Sequence, residues 1–123
     1  MAAWLPFGDC QLLVASDGIF RLDAGALFGV TPRVMWEPLV GPLDEAHRLA
    51  AGLNCLLVRS QGRLIIVETG VGNKATPVPG GADVSQAGTL LEDLARHGIR
   101  PADVDIVVNT HLHYDHCGGN TTY

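Results

Sequence analysis

Apolar positions along this chain fall into short runs separated by turn residues, with one helical stretch among them. Gln11 to Ala15 is a first apolar run, and Asp17-Gly18 reads as a hairpin turn before Ile19 to Leu22, which predicts an antiparallel pair. Leu53 to Val58 and Leu64 to Val67 are joined by Arg59-Ser60-Gln61-Gly62-Arg63, with Gly62 at the position that needs positive φ. Their hydrophobicity is continuous rather than alternating, so the spacing predicts a central hairpin buried on both faces. Thr89-Leu90-Leu91-Glu92 fits a capping box, and Leu90, Leu91, Leu94 and Ala95 form an apolar stripe that Gly98 terminates. Pro101-Ala102-Asp103 starts one more turn, and Asp105 to Val108 is a β-branched strand. A strand after a helix gives an α/β unit.

Between these elements the pattern is weaker. Asp23 to Pro32 is dense in glycine and reads as an ordered loop, and Asn73 to Gly88 reads as an irregular surface excursion. Leu43 to Ala51 has helical propensity, yet a strand entry near Arg48 to Leu53 is the preferred reading.

The chain has 123 residues, is 47% hydrophobic and carries a formal net charge of -5. That composition is globular, and scattered basic residues argue against a nucleic-acid surface. Cys10, Cys55 and Cys117 are an odd number without a C-x-x-C pair, so a disulfide framework is not expected and a cytoplasmic location is. The first ten residues show neither a signal peptide nor a membrane span.

Chemistry concentrates in Thr110 to Asn120, T-H-L-H-Y-D-H-C-G-G-N, which holds three of the five histidines. In an extended chain alternate residues share a face, so His111 and His113 can hold one ion, while Asp115 and His116, at the start of a turn, aim at a second. Imidazole and carboxylate ligands suit Zn2+ best, with Fe or Mn possible. Gly118 and Gly119 allow a close backbone approach or a turn. His47 reads as a surface histidine and His97 as a helix-terminal one. Tyr114 is expected to pack away from the metals, and Cys117 to pack.

His111-Leu112-His113-Tyr114-Asp115-His116, with Thr110 before and Gly118-Gly119 after, resembles the H-x-H-x-D-H signature of the metallo-β-lactamase fold superfamily. The resemblance implies an αββα sandwich, an α+β fold with a mostly antiparallel sheet and a helix on one face, and a binuclear metal centre. It implies His111 and His113 on the first metal and Asp115 and His116 on the second. Glu68-Thr69-Gly70-Val71-Gly72 resembles the family's D-T-G-x-G motif, with Glu68 where aspartate is usual. A carboxylate there would orient the histidine loop from beneath it.

Ser16 to Pro32 is similar to the S-D-G-x-F-x-L-D-G-G-A-x-F-G-V-x-P pattern of a lactonase-like branch, departing from it at Ala24 and Leu27. In such relatives this stretch borders the active-site mouth, so Phe28 and Trp36 are candidates to wall an acyl pocket, or else ordinary core aromatics. The family's later ligands find no match before Tyr123. Residues 1–123 are therefore expected to be one partial domain, its N-terminal half, which should not complete a catalytic cycle alone. The implied activity is hydrolysis of a small-molecule lactone or ester by hydroxide held on the metals, with Asp115 helping to hold it. Phosphodiesters, thioesters and β-lactams are alternative substrates. An iron-dependent oxidative relative and an inactive truncated product are the other readings.

Overall fold

The computed structural model describes residues 3–74 and 78–122. Its strands are β1 (Leu5–Phe7), β2 (Cys10–Asp23), β3 (Arg48–Ser60), β4 (Arg63–Val67), β5 (Asp83–Ala87) and β6 (Ile106–Val108). Its helices are α1 (Ala24–Phe28), α2 (Arg33–Trp36), α3 (Leu90–Arg96) and α4 (Tyr114–Cys117). The strands form one six-stranded sheet in the order β1-β2-β3-β4-β6, and β5 also pairs with β2. Every pairing is antiparallel except β4 with β6, which is parallel. Helix α3 lies between β5 and β6 in the chain, as a crossover to a parallel strand requires.

The predicted hairpin of β3 and β4 is present, closed by Gln61 and Gly62 at φ 50° and 76°. Arg48 begins β3, in line with the strand entry preferred over a helix. The burial of this hairpin, however, alternates. Leu13, Ala15, Cys55, Leu57, Leu64 and Ile66 form the core together with Leu90, Leu94 and Ile99 from α3 and the residues that follow it. The opposite face leaves Val14, Ile19 and Val108 exposed, and Val107, beside Ile66 at the edge, is exposed as well. Among the described residues one face of the sheet is covered, and Leu56, Val58, Ile65 and Val67 of the hairpin's other face are half-buried.

Three local expectations are corrected. Asp17-Gly18 is not a hairpin turn: β2 runs straight through it, and the pairing with β3 shifts between Ser16 and Ile19 in a β-bulge. Gly18 sits at φ 102°, where a Cβ would overlap the Gln86 carbonyl of β5, so the glycine serves strand packing rather than chain reversal. Asp23 to Pro32 is not all loop, because the Asp23 side chain accepts the Ala26 N–H and caps α1. Asn73 to Gly88 is not wholly irregular either, since it contains β5; residues 75–77 of that stretch lie outside the described residues.

Helix α3 forms where expected but without its capping box, since the Thr89 side chain caps nothing. The Leu90 N–H donates instead to Asp17 Oδ1 at 3.0 Å. Leu91 and Ala95 are exposed, and Ile99 completes the buried stripe. Gly98 ends the helix at φ 71° as predicted.

Candidate metal centre

Strand β6 delivers the histidine-rich stretch to the edge of the sheet next to β4. The Glu68 N–H donates to the Val108 carbonyl at 2.8 Å, extending the parallel ladder by one rung before both chains leave the sheet. Glu68 then turns at φ 69°, a left-handed conformation unusual for a residue with a long side chain. This turn sends its carboxylate back beneath the loop that follows β6.

Glu68 touches that loop at two points. Oε1 accepts the Thr110 N–H at 2.6 Å, and Oε2 is bonded to His116 Nδ1. Burial pushes the Glu68 carboxyl up, but these hydrogen bonds and the neighbouring imidazole outweigh it and hold the group below the usual carboxylate range. With Nδ1–H of His116 donated to Glu68, Nε2 carries the free lone pair. Nε2 faces Asp115 Oδ2 at 3.3 Å. On the other side of the loop His111 Nδ1 is bonded to Thr110 Oγ1 at 3.0 Å, and His111 Nε2 lies 3.1 Å from His113 Nδ1. The His111 and His116 rings are 4.0 Å apart, so the two donor pairs adjoin.

This donor set fits a transition metal. Ligand atoms about 2.0–2.1 Å from a tetrahedral zinc are roughly 3.3 Å from one another. The pairs His111–His113 and Asp115–His116 are spaced close to that, with imidazole and carboxylate donors. Glu68, His111 and His116 also offer ligand atoms within 4.8 Å of one another. Both oxygens of Glu68 are already taken by Thr110 and His116, which leaves the carboxylate in contact with a donor residue rather than free.

The loop backbone is fixed from below. The Thr69 N–H donates to the His116 carbonyl and the Gly118 N–H to the Gly70 carbonyl, each at 2.9 Å. A Cβ on Gly118 would overlap the Val71 carbonyl, and one on Gly119 the Thr69 carbonyl. The two glycines therefore admit the Glu68–Gly72 turn, and Gly118 has an ordinary φ of -60°. A chain of side chains closes the loop: Asn109 donates to the His116 carbonyl, Asn120 donates to Asn109, and Thr69 donates to Asn120. Asn109 and Asn120 offer no metal-ligand chemistry that would single them out in the sequence; their places on either side of the histidines, two residues before His111 and four after His116, are the available signal.

A cavity of about 410 Å³ opens beside the loop, lined by Phe20, Leu27, Leu53, Asn54, Asp115 and His116 among others. Phe28 and Trp36 are not among its walls. They stack on each other with ring centroids 4.5 Å apart, Trp36 is buried, and it lines a separate cavity with Arg33 and His47. Leu27, one residue before Phe28, lines the cavity beside the metal loop instead. Tyr114 packs beside Phe20, Leu53 and Val71, as expected, and burial followed by the nearby Asp115 charge pushes its hydroxyl up. Cys117 is a half-buried free thiol, and His47 and His97 stand apart from the cluster. Among the described residues no helix is long and apolar enough to cross a membrane.

Comparison with known proteins agrees with this geometry. Over 111 residues the chain is 32% identical to the metallo-hydrolase mfmC of Annulohypoxylon moriforme, covering 79% of this chain and 28% of that protein. A probable metal-dependent hydrolase from Staphylococcus aureus superposes with a TM-score of 0.82 at 26% identity, covering 96% of this chain and 43% of that one. An N-acyl homoserine lactone hydrolase, solved with N-hexanoyl-L-homoserine at its catalytic metal centre, superposes with a TM-score of 0.63 at 25% identity over 89% of this chain and 43% of that one. The chain thus spans less than half the length of each. The sequence model of the metallo-beta-lactamase superfamily matches residues 51–123, from the central hairpin through the histidine loop, and the chain belongs to that superfamily.

Proposed function

We propose that this chain supplies the metal-binding half of a binuclear hydrolase that opens a lactone or ester. The observation that carries the reading is the pairing of donors: His111 with His113, and Asp115 with His116, each pair at the spacing of two ligands on one ion. In the same reading Glu68 orients His116 from beneath, and Zn2+ is the metal that the donor chemistry favours. Two zinc ions so held would lower the pKa of bound water from 15.7 to about 7 and polarise a carbonyl oxygen. Asp115, at the cavity wall, presents a carboxylate oxygen that can accept a hydrogen bond from the attacking water. Phe20, Leu27 and Leu53 give the cavity an apolar side on which a small substrate would lie with its carbonyl toward the loop.

The choice of lactone or ester over other substrates rests on the likeness to the N-acyl homoserine lactone hydrolase. We take the activity to belong to the whole domain and its place to be the cytoplasm. The test is metal analysis of the full-length protein purified without added metal, followed by lactone ring-opening assays on the parent and His113→Ala. About two zinc ions per chain and turnover abolished in the variant are expected. Iron in place of zinc, or equal turnover by the variant, overturns the reading.

A further inference from the structure

Asp17 is fully buried and meets no cationic side chain among the described residues. An ionised carboxylate in such a place is costly unless hydrogen bonds replace its water. Its two oxygens accept from different parts of the fold. Oδ1 takes the Leu90 N–H at 3.0 Å, at the start of α3, and Oδ2 takes the Gly72 N–H at 2.9 Å. The Asp17 carbonyl also accepts the Thr89 N–H at 3.2 Å, and Asp93 of α3 accepts the Ser16 N–H at 2.8 Å. The bulge in β2 is thus gripped by α3 on one side and holds the Glu68–Gly72 turn on the other. Contact with that turn is close: a Cβ on Gly70 would overlap the Asp17 carboxylate.

The turn held in this way is the one that carries the metal loop. Thr69 donates to the His116 carbonyl, Gly70 accepts from Gly118, and Gly72 is so near the Gly118 carbonyl that an added Cβ would stand 2.6 Å from it. The contacts of Thr69, Gly70 and Gly72, the part of the turn that Asp17 holds, converge on His116 and the residues after it, whereas the His111 end is reached only by Glu68, through the Thr110 N–H. Resting on the binuclear reading above, we propose that Asp17 is a positioning residue for the ion held by Asp115 and His116, acting through the Glu68–Gly72 turn. It does not touch the ion. Replacing its carboxylate by an amide leaves one acceptor for two N–H donors and forces a donor against Gly72 or Leu90. The Gly70–Gly72 end of the turn then shifts and takes the His116 carbonyl with it, while the His111–His113 pair, tied to the turn only through Glu68 and Thr110, keeps its geometry.

The experiment is zinc titration of the full-length apoprotein against a chromophoric chelator, for the parent, Asp17→Asn and Gly70→Ala, with circular dichroism and thermal melting of each apoprotein. Gly70→Ala pushes the turn off Asp17 while leaving the carboxylate in place. The expected result is that one zinc ion binds each variant as it binds the parent, while the other binds about 10- to 100-fold more weakly. A variant that melts lower but keeps both affinities makes Asp17 a purely structural residue and overturns the proposal. Should Asp17→Asn fail to fold, parent-like affinities in Gly70→Ala overturn it equally. Zinc uptake by the parent is the separate check on the metal reading, and a parent that takes up none overturns both.

Discussion

Glu68 and His116 are bonded carboxylate to imidazole, and the second carboxylate oxygen of Glu68 holds the Thr110 N–H, so one side chain fixes both ends of the histidine loop. The family motif has aspartate where this chain has Glu68. Glu68 has a left-handed backbone, and its side chain lies back under the loop. Glu68→Gln keeps the shape but presents an amide to two N–H donors, only one of which its oxygen can satisfy. Loss of such a supporting partner typically weakens metal binding about 10- to 100-fold. Zinc titration of Glu68→Gln should show that loss, and unchanged affinity would remove Glu68 from the site.

Gly118 separates a packing requirement from a conformational one. Its φ of -60° suits any residue, yet a Cβ there would overlap the Val71 carbonyl. Gly118→Ala should therefore destabilise the fold by about 1–3 kcal/mol through overpacking. Urea unfolding measures the loss. Stability equal to the parent would mean that the loop and the Glu68–Gly72 turn are not in contact.

How far the sequence reveals this arrangement depends on whether each signal is local. The histidine loop, β6 and the β3–β4 hairpin are written in contiguous residues, and all of them form. Asp17-Gly18 carries a local turn signal that the tertiary structure overrides, because β5, α3 and the Glu68–Gly72 turn all meet at that point and make it a bulge. The capping box at Thr89 fails for the same reason, a carboxylate from 73 residues away serving the first N–H of the helix. Phe28 and Trp36 are candidate pocket walls from their places in and just after the motif; they stack on each other, and of the α1 residues it is Leu27 that lines the cavity beside the loop. Spacing along the chain cannot reveal which of two adjacent residues on a short helix lines a cavity beside a loop more than 80 positions later.

Cys55 should be inert in the native protein. It is fully buried, and burial, aided by the charges of Asp17, Glu68 and Asp93, pushes its thiol up to about 12. Only the thiolate reacts readily, so iodoacetamide at about pH 8.5 should leave Cys55 unlabelled while half-buried Cys10 and Cys117 react first. Mass mapping after a short pulse, with and without denaturant, checks this. Early labelling of Cys55 in the native protein would mean that the core around it opens readily.

Asp44 gives the acid side of the stability curve a definite sign. Its carboxylate accepts the Arg48 and Ala46 N–H groups, both at 2.9 Å, and pairs with the Arg48 guanidinium at 2.8 Å, fixing the turn that leads into β3. The Arg48 N–H is the largest influence holding the group below the ordinary aspartate range; desolvation opposes it, and the guanidinium and the Ala46 N–H reinforce it. A carboxyl whose folded pKa lies below its unfolded value of about 3.9 contributes stability that is fully present above that value. The contribution is lost as pH falls through the lower, folded pKa. Asp44→Asn lacks this titration, so the stability difference between parent and variant should shrink as pH is lowered from about 5 toward 3. Urea midpoints across that range measure it, and a constant gap between the two proteins would show that Asp44 does not favour its charged form in the fold.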